Sequence, residues 1–290
     1  MSGELETVSD IESLRKRIRD WRSAGKRIGF VPTMGNLHQG HLALVREARR
    51  ESDRCVVSIF VNPIQFGAGE DYDGYPRTLQ QDRAKLQGAG VELLFTPSVS
   101  TIYPVGEGQQ TRVEVPGISD ILCGASRPRH FVGVATVVCK FFNLVQPDLA
   151  VFGEKDYQQL IVIRRMAADL AIPVDILGLS TVREADGLAK SSRNGYLSAG
   201  ERALAPKLHE TLRLTAEALA AGDRDIGQLE AKGLERLRAL GFRPDYFAIR
   251  RADDLAPATR QDHALVILVA AYLGTTRLID NLNAAKQHSD

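Results

Sequence analysis

Two histidines three residues apart, His38 and His41, lie in the stretch Pro32-Thr33-Met34-Gly35-Asn36-Leu37-His38-Gln39-Gly40-His41. Imidazoles aimed at a phosphate can donate hydrogen bonds to the charge that builds up on it. Gly35 and Gly40 allow a close backbone approach to such a group. A single histidine near a turn is usually a satisfied polar residue, but a pair spaced by Gln-Gly is a rarer accident. A second polar set follows in Gly153-Glu154-Lys155-Asp156-Tyr157-Gln158-Gln159. There Lys155 brings a point charge suited to phosphate, Asp156 an acceptor for a ribose hydroxyl, and Gln159 a side chain that can face a substrate. A third is Lys190-Ser191-Ser192-Arg193, in which hydroxyls donate and cations offset phosphate charge. Gln65 offers both a donor and an acceptor, as a small hydroxy acid requires. Each set also has an ordinary reading: a solvated helix start, a flexible polar linker, a surface glutamine.

The flanking residues say what positions these groups. Residues 27–31 read as a buried strand and 41–52, with Leu42, Leu44, Val45 and Ala48, as a helix. The histidines therefore sit on a strand-to-helix turn, where an open α/β sheet binds nucleotides. Further strands are predicted at 55–61, 91–95, 149–152 and 173–179, with an edge strand at 111–115. Ser9 and Glu12 form a capping box for a helix through Ile11, Leu14, Ile18 and Trp21 that ends at Gly25. Thr78 and Gln81 do the same for the helix carrying Asp82, a carboxylate that is either solvated or within reach of a phosphate-bound metal. Residues 134–145 form a long apolar helix. The alternation predicts an α/β fold, a Rossmann-like doubly wound parallel sheet. Beyond it come helices at 198–221, with Pro206 a kink or an early-turn residue, and 226–240, then strands at 242–250, 264–273 and 276–282. These predict a smaller α+β C-terminal domain, with domains at 1–180 and 181–290 and the second acting as a hinged lid.

Composition sets bounds. In 290 residues, 37 Lys and Arg balance 36 Asp and Glu, which argues against nucleic acid as the main partner. The longest apolar run, 264–273, is too short to span a bilayer, and residues 1–10 are unlike a secretory leader. Three scattered cysteines fit neither a zinc site nor a disulfide framework and point to a reducing cytoplasm, with Cys55 and Cys139 as buried packing residues.

The His-x-Gly-His pattern resembles the signature of the nucleotidyltransferase superfamily that includes class I aminoacyl-tRNA synthetases. The longer Pro-Thr-Met-Gly-Asn-Leu-His-Gln-Gly-His form closely resembles the pantothenate synthetase (pantoate–β-alanine ligase) family, and the 153–159 and 190–193 motifs agree with it in order. The resemblance implies ATP-dependent condensation of (R)-pantoate with β-alanine through a pantoyl adenylate, releasing AMP and pyrophosphate. It implies His41 and His38 as catalytic residues, His41 as the better proton donor. It places ATP at Met34, Gly35, Asn36, Leu37, His38, Gln39, Gly40, His41, Gly153, Glu154, Lys155, Asp156, Val182, Lys190, Ser191, Ser192 and Arg193. Gln65 and Gln159 bind pantoate, with Gln65 also reaching β-alanine. Arg127 and His130 match positions near the site. Magnesium is expected with ATP, its ligands unassigned, and a homodimer is implied. Two departures stand out: Arg129 replaces a usual glycine, and Lys190 a usual apolar residue. Other nucleotidyltransferases, such as a cytidylyltransferase, and a non-catalytic ATP sensor remain as alternatives.

Overall fold

The computed structural model describes residues 5–67 and 69–284. The chain divides into two compact units, residues 1–153 with 162–180, and residues 154–161 with 181–290.

The first unit holds a sheet of six parallel strands: β1 (Glu6–Val8), β2 (Ile28–Thr33), β3 (Arg54–Ile59), β4 (Leu93–Phe95), β5 (Leu149–Gly153) and β6 (Asp175–Leu179). Helices α1 (Ile11–Ser23), α2 (Gln39–Arg50), α3 (Leu79–Gly88), α4 (Val99–Ile102), α5 (Cys123–Ser126) and α6 (His130–Val145) belong to it, and α7 (Tyr157–Asp169) follows β5. The central strands β2 to β5 are largely buried and apolar on both faces, as a covered parallel sheet requires. Val31, Val57, Leu94 and Val151 pack with Val45 and Ala48 of α2 and Leu86 of α3. Their chain neighbours Phe30, Phe95 and Phe152 meet Phe141 and Phe142 of α6 edge-to-face, at centroid separations of 5.9–6.4 Å. The strand order is β1-β4-β3-β2-β5-β6. From β2 the chain winds one way through β3 and β4, and from β5 the other way to β6. The crevice of such a sheet opens at that reversal, outside the C-terminal ends of β2 and β5. The His-rich turn leaves the first of these ends and the Glu-Lys-Asp turn leaves the second.

The second unit holds α8 (Ala199–Leu204), α9 (Lys207–Ala220) and α10 (Ile226–Ala239), with an antiparallel sheet of β7 (Arg243–Arg251), β8 (Leu265–Leu273) and β9 (Thr276–Asn283), β8 central. Leu208, Leu212 and Leu219 of α9 and Leu229 and Leu237 of α10 join Ile267 and Val269 in one core. The α/β class with a small α+β partner is thus the observed architecture. Among the described residues, no helix is long and apolar enough to cross a membrane.

Several local expectations are corrected. Residues 111–115 form no strand: the Val113 N–H donates to Thr136 Oγ1 on α6 at 2.9 Å instead of to a ladder. The edges of the sheet are β1, a polar strand of three residues, and β6. The α1 cap is Asp10, which accepts from the Ser13 N–H at 2.8 Å, and not Ser9. Thr78 makes no cap bond with its side chain; its hydroxyl donates to Asp82 at 3.0 Å, so no box with Gln81 forms. Residues 198–221 are two helices, because Pro206, without an N–H, ends one and begins the next. Helix α6 starts at His130, a turn before the apolar run. Cys55 is buried, whereas Cys139 is partly exposed.

Candidate active site

The turn after β2 is fixed by its own backbone demands. Gly35 has φ +84°, a left-handed conformation, and a Cβ there would lie 3.1 Å from Ile59 Cγ2 and 3.2 Å from Asp82 Oδ2. Asn36 follows at φ +49°. The two N–H groups this bend turns inward, those of Asn36 and Leu37, both donate to the Asp82 carboxylate at 2.8 Å. Asp82 is fully buried, and the Thr78 hydroxyl is its third donor. It is therefore neither solvated nor presented to a metal; it braces the turn from α3. Lys85, one helical turn on, donates to the Leu37 carbonyl at 2.6 Å.

The two histidines cap α2 together. His38 is the N-cap, its Nδ1 accepting from the Gly40 N–H at 3.1 Å, while its own N–H donates to Nδ1 of His41 at 3.3 Å. The rings lie 4.1 Å apart between centroids. A nitrogen that accepts a backbone N–H carries no proton, so both neutral rings are the Nε2–H tautomer. Each thus carries its proton on Nε2, at a helix N-terminus whose field favours an anion.

Gln65 lies in a 3-10 turn, Pro63–Gln65, beyond β3. It is buried, and its Nε2 donates to Met34 Sδ at 2.9 Å, which ties it to the His-rich turn. Helix α6 presses on this turn. A Cβ on Gly133 would fall 2.6 Å from the Ile64 carbonyl oxygen and 2.7 Å from Gln65 Cα. Arg127 and His130 hold the same turn. His130 Nδ1 is 2.8 Å from the Gln65 carbonyl and its Nε2 is 3.1 Å from an Arg127 guanidinium nitrogen. Since arginine only donates, Nε2 accepts and Nδ1–H donates. Arg127 also forms a two-bond pair with Glu70, at 2.7 and 2.5 Å. Burial pushes the Glu70 pKa up, but the hydrogen bond and charge of Arg127 outweigh it and hold the carboxyl below its usual range. Arg129, where the resembled family has glycine, sits at φ +69° as the N-cap of α6. This is a left-handed conformation held by a residue with a Cβ.

In the second unit, Glu154–Asp156 form a 3-10 turn leading into α7. The Asn281 side-chain amide, on β9, donates to the carbonyls of both Glu154 and Lys155 at 2.8 Å. Lys155 Nζ is 3.9 Å from Asp156, and Gln159 is half-buried on the first turn of α7. The 181–194 segment is no flexible linker. The Lys190 N–H donates to the Val182 carbonyl at 2.9 Å, and Glu184 pairs with Leu188 and Gly187 across a turn. Lys190 Nζ is ion-paired with Glu184 at 2.6 Å. Ser191 caps the 3-10 turn Ser192–Tyr196 by accepting from the Arg193 N–H.

Beneath this segment Arg183 is clamped by Asp280 at 2.7 and 3.0 Å. Asp280 is 2% exposed on its side chain, and His209 Nδ1 stands 3.6 Å from it, too far to bond. Burial, with the positive charge of Arg183 and Arg213, lowers the His209 pKa against the opposing pull of Asp280.

The Met34–His41 residues and Gln65 are thus brought together in one unit, and Glu154–Asp156, Gln159, Val182 and Lys190–Arg193 belong to the other; Gly153 ends β5. Asp82, Asn281 and the Arg183–Asp280 clamp were missed as supports. A carboxylate at an inward position of strand β9, where Leu278 and Asp280 are both buried, was the available signal for the last. Among the described residues no group of three His, Cys, Asp or Glu side chains is placed to hold a metal.

Comparison with known proteins gives one consistent result. The family model for pantoate-beta-alanine ligase matches residues 6–283. The chain is 61% identical to the pantothenate synthetase of Pseudomonas fluorescens over 279 residues, 96% of this chain and 98% of that one. It superposes on the crystal structure of pantothenate synthetase from Thermus thermophilus with a TM-score of 0.90 at 50% identity, covering 96% of this chain and 99% of that one. A pantoate-beta-alanine ligase from Francisella tularensis, complexed with beta-gamma ATP and beta-alanine, matches with a TM-score of 0.79 at 36% identity over 97% and 98% of the two chains.

Proposed function

Since the chain belongs to the pantoate-beta-alanine ligase family, we propose that it joins (R)-pantoate to β-alanine through a pantoyl adenylate. In the first step a pantoate carboxylate oxygen attacks the α-phosphorus of ATP. The bond to the β-phosphate breaks, and pyrophosphate leaves with the electron pair. In the second, the β-alanine nitrogen attacks the acyl carbon, the acyl–phosphate bond breaks, and AMP leaves as the nitrogen loses a proton. No protein nucleophile is needed. The requirement is positioning and stabilisation of charge on the phosphates.

One observation supports this most directly: two imidazoles in the Nε2–H form, held by a shared helix cap at the switch point of the sheet. His41 and His38 donate to the phosphates, His41 as the proton donor. The backbone from Met34 to Gly40 lines the nucleotide. Gln65 and Gln159 bind pantoate, and Gln65 also contacts β-alanine. Lys155, Ser191, Ser192 and Arg193 hold phosphate oxygens, joined by Lys190 on release from Glu184, and Gly153, Glu154, Asp156 and Val182 line the nucleoside. The Francisella relative, solved with beta-gamma ATP and beta-alanine, supports the choice of ligands. Magnesium is expected as the partner of the ATP phosphates. When bound it would offset charge on the phosphates; Asp82 is already committed to three donors, and the donors this chain itself supplies are those named above. A homodimer and a cytoplasmic location complete the proposal and rest on family membership.

The test is isotopic. With pantoate labelled by 18O in its carboxylate, one label should appear in AMP, because the carboxylate oxygen stays on phosphorus. ATP–pyrophosphate exchange should need pantoate but not β-alanine. Unlabelled AMP would rule out the adenylate, and AMP release without pantoate would favour another nucleotidyltransferase.

A further inference from the structure

An amide turned by 180° presents the wrong end to its ligand, so a substrate-binding glutamine needs something behind it. Gln65 has a line of buried polar groups there. Its Oε1 accepts from Asn62 Nδ2 at 3.1 Å. Asn62 is 1% exposed, and the same Nδ2 donates to the Gly133 carbonyl at 3.1 Å. A carbonyl only accepts, so the Asn62 amide has a single orientation, with both Nδ2 hydrogens in use. Its Oδ1 then points to the far side, where the Tyr103 hydroxyl donates at 2.7 Å. The Tyr103 ring is 2% exposed and packs edge-to-face on Phe60, with Lys140 Nζ 5.1 Å from its centroid. Burial, with the nearby charge of Glu107, pushes its pKa well up, so the phenol stays a donor at any working pH.

We propose that Tyr103 is a positioning residue: through Asn62 it fixes which end of the Gln65 amide meets the hydroxy acid. This rests on the assignment of Gln65 to the pantoate site. Tyr103 touches no substrate. It supplies the one donor that the Asn62 carbonyl oxygen needs, and Asn62 in turn holds Gln65 Oε1 and leaves the Nε2 end to Met34 and the ligand. A tyrosine that merely filled the core would do none of this through Gln65.

Tyr103→Phe keeps the ring and removes the hydroxyl. The KM for pantoate should rise about tenfold, the scale of one misplaced polar contact, with the KM for ATP unchanged. In a Gln65→Ala background the same substitution should change nothing further, since both act on one link. An unchanged pantoate KM, or the same factor in both backgrounds, overturns the proposal. A second measurement needs neither a folded variant nor turnover: the Gln65 side-chain amide in the ligand-free wild-type protein, followed by 15N relaxation. An order parameter above about 0.6 supports a pre-set amide, and a lower value overturns it. Wild-type enzyme that failed to join pantoate and β-alanine would refute the functional reading instead, while the relaxation result would still judge the positioning.

Discussion

His41 accepts the backbone N–H of His38 at its own Nδ1, 3.3 Å away, so the side chain proposed to act on phosphate also closes the cap of the helix that carries it. His41→Ala should therefore lose two things. AMP formation should fall by about 10²–10³, the effect of removing one such donor. Stability should fall by about 1 kcal/mol for the lost cap. His41→Gln separates them, because its carbonyl can still accept from the His38 N–H. Urea unfolding should return to the wild-type midpoint with no recovery of rate. Recovery of rate would assign the ring to capping alone.

Asp82→Ala should remove the acceptor of the Asn36 and Leu37 N–H groups, at about 1–3 kcal/mol for the buried Leu37 donor. Denaturant midpoints measure the loss. Steady-state rates measured well below the unfolding range should fall as well, since the same contacts hold the His-rich turn. A stable, fully active variant would show that Gly35 and Asn36 set the turn unaided.

Arg129→Gly should be neutral or stabilising by about 1 kcal/mol. A left-handed residue with a Cβ carries a strain of that order, partly offset by the greater freedom of glycine in the unfolded chain. Thermal melts decide the sign, and a marked loss would mean that the Arg129 side chain makes a contact that matters.

The His209 pKa is lowered in the fold by burial and by Arg183 and Arg213. Above its ordinary value of 6.5 the ring is neutral in both states and there is no penalty. As pH falls through 6.5 the unfolded chain takes up a proton that the folded one resists, so stability drops until the folded ring also protonates. Wild-type unfolding midpoints should thus decrease from about pH 7.5 to 5.5, with a shallower slope in His209→Gln. Equal slopes would remove His209 as the source.

How much of this was legible follows a physical divide. Apolar runs located β2 to β5 because a covered parallel strand is apolar on both faces, as Phe30 and Val31 are. Pattern also located the His-rich and Glu-Lys-Asp turns, since each joins an apolar strand to a helix through glycine and polar residues. What failed depends on partners distant in sequence. Asp82 looks like any helical carboxylate until Asn36 and Leu37 face it, and Thr78 looks like a cap until its hydroxyl turns to Asp82. Residues 111–115 have strand composition, but a side chain on α6 takes the Val113 N–H. Asn62, Tyr103 and Asn281 carry no signature of their own, because a buried amide or phenol is chosen by the geometry around it.

The Asn281 amide grips carbonyls that lie 127 and 126 residues earlier in the chain. Translation runs from the N-terminus, so more than a hundred further residues must be made before Lys155 acquires its clamp. A nascent chain can thus assemble the first sheet and its paired imidazoles while the lysine turn still awaits the final strand. The phosphate role proposed for Lys155 should accordingly appear only in chains that include β9.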